Sequence, residues 1–223
     1  MDKRPDPSDL RAVARGRFIT FEGGEGAGKS TQIRRLAERL GAAGHDVVVT
    51  REPGGSPGAE TIRDLLVNGS TDRWSPATEA LLMYAARRDH LERTIRPALE
   101  RGATVLCDRF ADSTRAYQGA GGELSLDAIK ALEGFALDSA DWPDLTLIFD
   151  LPVADGLKRA ASRGGGEARF EAKGLAFHER LRAGFLAIAE REPGRCAVID
   201  AAADMDAVTE AVWSAVGARL GLA

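Results

Sequence analysis

The chain reads as an α/β protein built on a five-stranded parallel sheet with helices on both faces. Short β-branched runs alternate with longer helical patterns, and a glycine-rich loop joins the first such run to the first such helix. At 223 residues, 44% hydrophobic and 29% charged, the composition is that of an ordinary globular domain. Its 25 glycines and nine prolines are too few and too scattered for collagen-like or low-complexity sequence. Thirty Lys and Arg against 34 Asp and Glu leave a net charge of −4. That balance is too even for wholesale binding of a nucleic-acid polymer or an anionic membrane, so any bound anion is held locally.

In chain order, the candidate strands are Arg17 to Glu22, Asp46 to Arg51, Ala103 to Cys107, Leu145 to Asp150 and Cys196 to Asp200. Ile33, Leu36, Ala37 and Leu40 recur at helical spacing after the first strand, and Gly41 and Gly44 stop that helix before the second, which completes a βαβ unit. Ser75-Pro76 opens a long helix predicted to reach Arg101, bent by Pro97, with Ala80, Leu81, Met83, Tyr84, Arg87, Leu91 and Ile95 along its apolar side. Val208, Ala211, Val212, Ala215 and Val216 give the last helix its buried stripe. Residues 1–16 read as a flexible extension and 17–223 as one domain with a lid at about 159–172. The glycine-rich stretches PGGSPG at 53–58 and RGGGEAR at 163–169 are either movable loops or plain surface turns.

The longest apolar run, Ala80 to Ala86, falls far short of the ~20 residues a bilayer demands, and the N-terminus lacks an apolar signal core. A cytoplasmic address is expected. Cys107 and Cys196 stand far apart without Cys-x-x-Cys spacing and read as small buried hydrophobes.

Directly after the first strand, Gly23, Gly24, Glu25, Gly26, Ala27, Gly28, Lys29 and Ser30 satisfy Gly-x-x-x-x-Gly-Lys-Ser, with Thr31 following in the helix. Glycines let the backbone turn its N–H groups inward around an anion, and the helix N-terminus adds partial positive charge. The motif in this setting is that of a P-loop NTPase fold: Lys29 bridges the β- and γ-phosphates of ATP and Ser30 ligates Mg²⁺. No Asn-Lys-x-Asp base reader occurs, which disfavours a GTPase. The third strand ends in CDRF, placing Asp108 and Arg109 where ligands of open α/β sheets collect. Asp108 can hold Mg²⁺ through water and Arg109 can clamp a phosphate, unless the two form only a surface ion pair.

Taken together, REPGGS (51–56), LLMYAAR (81–87), DRF followed by STRAYQG (113–119), and GLKRAASRG to RFE (156–171) resemble bacterial thymidylate kinases over roughly residues 17–220. The resemblance implies a nucleoside-monophosphate kinase that transfers the γ-phosphoryl group of MgATP to dTMP and forms a homodimer through its long helices. It implies Glu25 near the deoxyribose 3′-hydroxyl, Arg51 and Arg109 on the dTMP phosphate, and Arg87 on the thymine ring. Ser113, Thr114, Tyr117 and Gln118 close the sugar and base pocket, with Tyr117 crowding the 2′ position. The chain departs from the family pattern at Met83, where many members carry Phe against the base, and at Ala168, where DRFE is common and this chain reads ARFE.

Phosphoryl transfer needs in-line placement and positive charge more than a general base. The phosphate loop holds no arginine, and the resemblance implies that the lid supplies one from Arg159, Arg163 and Arg169. Arg163, followed by three glycines, is the expected catalytic arginine, while Arg159 fits a solvated helix face equally well. Two rivals remain: another P-loop deoxynucleoside or nucleotide kinase, for which Glu52 could serve as the base, and a catalytically inactive nucleotide-binding interaction protein.

Overall fold

A computed structural model describes residues 14–70, 72–122, 124–163 and 173–222, Arg163 by its backbone alone. Five strands, β1 (Phe18–Gly23), β2 (Val47–Arg51), β3 (Thr104–Asp108), β4 (Leu145–Asp150) and β5 (Cys196–Asp200), form one sheet in the order β2-β3-β1-β4-β5. Every pair is parallel. Around it stand α1 (Lys29–Ala42), α2 (Pro57–Val67), α3 (Pro76–His90), α4 (Arg96–Glu100), α5 (Ala111–Thr114), α6 (Leu126–Ala136), α7 (Val153–Arg163), α8 (Leu175–Arg191) and α9 (Met205–Leu220). The expected strands are all present and differ by a residue at some ends, where ladder pairing fades.

Alternation along β1 sorts the core into two layers. Ile19 and Phe21 pack with Leu36, Leu40, Phe149 and Val212 beneath α1 and α9. Phe18 faces the other way, with Leu91, Ile95, Val105 and Phe110. In α1, Ile33, Leu36 and Leu40 are buried as the spacing predicts. In α9, Val208, Val212 and Val216 are buried, but Ala211 is exposed, one step off the stripe.

The long helix opens as predicted: the Ser75 hydroxyl accepts the Thr78 N–H, and Pro76 takes the first turn. It is not one regular rod. Between α3 and α4 the chain widens into a π-turn over Leu91–Ile95, where the Arg96 N–H donates to the Leu91 carbonyl. Pro97 follows at once and has no N–H to give the carbonyl four residues back. Leu81, expected on the apolar side, is 57% exposed, because a one-residue step from buried Ala80 turns it about 100° away.

The stretch at 53–58, expected as either a mobile loop or a plain turn, is tied down on several sides. Glu60 accepts the Gly55 N–H at 2.9 Å, Thr94 donates to the Gly55 carbonyl at 2.7 Å and Ser56 donates to Asp89 at 2.6 Å. The start of the described chain is also held: Arg15 donates to Asp144 and to the Ala140 carbonyl, and the Gly16 N–H donates to the Leu99 carbonyl. Residues 15 and 16 of the expected extension are thus held against the fold, and its first 13 residues lie outside the described part.

Beside the amino ends of β4 and β5 sits a charged network. Arg195 grips Asp112 with two hydrogen bonds, at 2.7 and 2.8 Å, and Arg115 grips Glu133 at 2.6 and 2.9 Å. Glu192 accepts from both arginines, and both guanidinium groups lie over the Trp142 ring, at 4.4 and 5.0 Å. Cys107 and Cys196 are buried thiols. No helix among the described residues is long and apolar enough to cross a membrane.

Candidate active site

Register places the site. Arg51 pairs with Asp108 across β2 and β3, Phe21 with Asp108 across β1 and β3, and Gly23 with Phe149 across β1 and β4. The connections leave β1 and β3 in opposite directions along the sheet, so a crevice opens between their carboxyl ends. A cleft of about 310 Å³ lies there, lined by Gly26, Gly28, Lys29 and Ser30 on one side and by Arg51, Arg63, Asp108 and Arg109 on the other.

The loop of Gly23 to Ser30 is a backbone device. Gly23, Gly26 and Gly28 have φ of 131°, 73° and 86°, values at which a side chain is strained. A Cβ on Gly26 would run into the carbonyl of Gly156 in α7, and one on Gly156 would press on the Glu25 carbonyl at 2.6 Å, so loop and helix touch through two glycines. Lys29 folds back onto the Gly23 and Gly24 carbonyls at 3.1 and 3.0 Å. Burial, with the charge of Arg109, pushes its ammonium down to about 8. Ser30 Oγ donates to Asp108 Oδ2 at 3.0 Å, which brings together a hydroxyl and a carboxylate oxygen, hard donors suited to Mg²⁺ with waters completing the shell.

Two carboxyls three residues apart have opposite fates. Glu22 is fully buried and accepts the Phe110 N–H at 2.7 Å and the Ser113 hydroxyl at 2.6 Å. Burial and neighbouring Asp112 push its carboxyl up to about 8, against the pull of Ser113, Arg109 and the Phe110 N–H. The Glu25 side chain is also largely buried, yet His178, the charges of Arg109 and Lys29, and Tyr117 outweigh desolvation and hold its carboxyl well below the usual carboxylate range. Tyr117 donates to it through a short hydrogen bond, Arg109 donates at 3.3 Å, and His178 Nδ1 lies 3.5 Å away. Arg109 also donates to the Gly23 carbonyl at 3.0 Å and to Ser113 at 3.3 Å.

A narrower pocket adjoins the cleft. Met83, Arg87, Arg109, Thr114, Tyr117 and Gln118 are among its lining residues, along with Ser113. Arg87 is only 2% exposed, a costly place for a charge unless it is paired. Glu52 pairs it, accepting from Nε at 2.7 Å, and Thr114 accepts from Nη2 at 3.2 Å. The rings of Tyr84 and Phe110 flank the guanidinium at 4.6 and 5.1 Å. Nη1, buried, has no hydrogen-bond partner among the described residues, which leaves its N–H groups for a ligand. Tyr84 itself turns its hydroxyl to Glu133.

The sequence-predicted residues thus divide. Glu25, Gly26, Ala27, Gly28, Lys29, Ser30, Arg51, Asp108 and Arg109 line the cleft, whereas Gly23 and Gly24 line a separate recess between the loop, β4 and α8. Thr31 lines neither, and its N–H is taken by the Gly28 carbonyl. Arg159 donates to the Ala201 carbonyl at 3.1 Å. The Arg163 side chain, Ala168 and Arg169 lie outside the described residues. Glu52, considered as a base, is occupied: besides Arg87 it contacts His90 Nδ1 at 3.1 Å, and His90 Nε2 contacts Thr50 at 2.7 Å. Sequence reading missed Arg63, Glu22 and His178. Only Glu22 carried a signal, as the acid directly before the first loop glycine.

A thymidylate kinase family model matches residues 21–212. A thymidylate kinase of Caulobacter vibrioides is 71% identical over 210 residues, covering 94% of this chain and 100% of that protein. One of Nitrobacter winogradskyi is 56% identical, covering 92% and 90%. Among solved structures, the thymidylate kinase of Ehrlichia chaffeensis matches with a TM-score of 0.74 at 34% identity, over 91% of this chain and 99% of that one.

Proposed function

The chain belongs to the thymidylate kinase family, and from that premise we propose how its residues carry the γ-phosphoryl group of MgATP to dTMP, giving ADP and dTDP on the way to dTTP. The observation that carries the assignment of parts is the meeting of two pockets at Arg109, one lined by the phosphate loop and the other by Arg87.

The N–H groups of Gly26 to Ser30 cradle the donor phosphates, and Lys29 leaves the loop carbonyls to bridge them. Ser30 and Asp108 are the residues that would hold Mg²⁺, and their paired oxygens fit it. When bound, the ion neutralises charge on the donor phosphates. Arg51 and Arg109 hold the acceptor phosphate with Arg63 beside them, so that its oxygen faces the γ-phosphorus in line with the departing ADP oxygen. Arg51 exchanges its exposed partner Glu60, 3.2 Å away, for the ligand. Such an exchange costs little, because surface pairs contribute only about 0–1 kcal/mol.

Arg87 offers Nη1 to the thymine edge, and Met83 covers the ring without giving it a flat platform. Glu25, ionised by its surroundings, accepts the sugar 3′-hydroxyl while Tyr117 narrows the 2′ side. Arg163, at the end of α7, reaches the moving group when the lid closes and excludes water. A homodimer and a cytoplasmic address complete the proposal. Exposed Leu81 on α3 supports a contact through the long helices, and sedimentation velocity tests it.

ADP release measured with dTMP, dUMP and thymidine tests the whole. We expect dTMP to be best, dUMP poorer by roughly tenfold to a hundredfold because one methyl contributes about 1–3 kcal/mol, and thymidine inert. If dUMP outperforms dTMP, the thymine pocket is misassigned.

A further inference from the structure

We infer that Glu22 is a positioning residue for the acceptor phosphate, fixing Arg109 and Ser113 in the one arrangement from which both reach it. The inference rests on the thymidylate reading above and adds to it a residue that touches neither nucleotide.

Arg109 is the starting point. Its φ is 71°, and no other described non-glycine residue has a positive φ. A side chain there costs about 1–2 kcal/mol, and such a conformer persists only where its surroundings impose it. Had the backbone stayed extended, the arginine would follow the pleat of β3. The left-handed turn instead folds the guanidinium back across the end of β1, onto the Gly23 carbonyl and Glu25.

The bonds that impose the turn come from β1. The Arg109 N–H donates to the Phe21 carbonyl at 3.0 Å. One Glu22 oxygen takes the Phe110 N–H and the other takes the Ser113 hydroxyl, so a single carboxyl clasps both ends of the segment that follows. Ser113 Oγ in turn accepts from Arg109 Nη1 and passes the grip to the guanidinium. An apolar side chain would fill the same volume and accept neither bond. That explains why a carboxyl occupies a fully buried position next to Asp112, where it is costly.

Steady-state kinetics on the full chain with Glu22→Ala, Glu22→Gln and Ser113→Ala, alone and combined, tests this, with melting curves to confirm folding. Wild-type turnover of dTMP is measured first, since its absence overturns the thymidylate reading and this inference with it. Given that turnover, Glu22→Ala should lower kcat/KM for dTMP by about thirtyfold or more while KM for ATP moves less than about threefold. Glu22→Gln, which keeps the shape and an acceptor for the Phe110 N–H, should recover most of the loss. Adding Ser113→Ala to Glu22→Ala should cost less than about twofold more, because both lie on one path. Unchanged dTMP kinetics, or KM for ATP rising in step with KM for dTMP, overturns the inference. If Glu22→Ala does not fold, Glu22→Leu, an apolar replacement of nearer volume, takes its place in the cycle with Ser113→Ala: non-additive dTMP losses support the inference and additive ones overturn it.

Discussion

The two halves of the cleft are made of different material. On the donor side, the short run from Gly26 to Ser30 is proposed to bind through main-chain N–H groups, and the glycines at 23, 26 and 28 provide the backbone angles of the loop. On the acceptor side, side chains converge from β2, α2, α3, the end of β3 and the turn at 115–121, and the polar ones are held by neighbouring side chains or carbonyls. Arg87 has Glu52, Arg109 has Glu25 and Ser113, and Tyr117 has Glu25. Main-chain binding requires conformation, which a short motif encodes. Side-chain binding requires neighbours, which arrive from anywhere in the sequence.

The sharpest way to break that contrast is at the two cations proposed to meet the moving phosphoryl group. Lys29→Met should lower turnover by about a thousandfold or more while leaving KM for dTMP nearly unchanged, as stopped assays with saturating ATP would show. Arg163→Ala should cost at least about a hundredfold in turnover with ATP affinity within a few-fold. If turnover barely moves, another group supplies the lid's charge.

On the acceptor side, the vulnerability lies in the partners. Glu52→Gln strands the buried Arg87 charge and should destabilise the fold by about 3–5 kcal/mol in urea titrations while raising KM for dTMP. An unaltered midpoint would mean that Arg87 does not depend on Glu52. On the donor side, Gly26→Ala should cost about 1–3 kcal/mol through strain and the Gly156 contact, and should weaken ATP binding more than dTMP binding.

The smallest effect concerns pH, with opposite signs for Glu22 and Glu25. Glu25 is depressed, so its contribution to stability is present above its unfolded value near 4.5 and is lost as pH falls toward its folded value. Glu22 is raised, so its contribution is present below about 4.5 and is lost as pH climbs through about 8. Urea midpoints of Glu25→Gln and Glu22→Gln against the parent across that range should diverge in opposite directions.

The same contrast explains what could be read in advance. The strands, the phosphate loop and the Ser75-Pro76 helix start are local patterns, and the structure matches them closely. The π-turn before Pro97 was foreseen only as a bend, because a proline marks where a helix is disturbed but not how the chain accommodates it. Leu81 was misplaced because a run of apolar residues hides which of them lies on the inner face. Arg63 follows Glu60 on a helix whose orientation no sequence spacing reveals. His178 meets Glu25 only because α8 crosses behind the loop, more than 150 residues later in the chain.

Trp142, pressed beneath two guanidinium groups, gives the molecule an optical gauge. Its indole emission depends on the cations stacked upon it, and Arg195 joins it to Asp112, the residue next to Ser113. Trp74 and Trp213 each lie under an arginine in other parts of the fold. With those two replaced by phenylalanine, the remaining fluorophore would report strain around the acceptor's binding place without any attached dye.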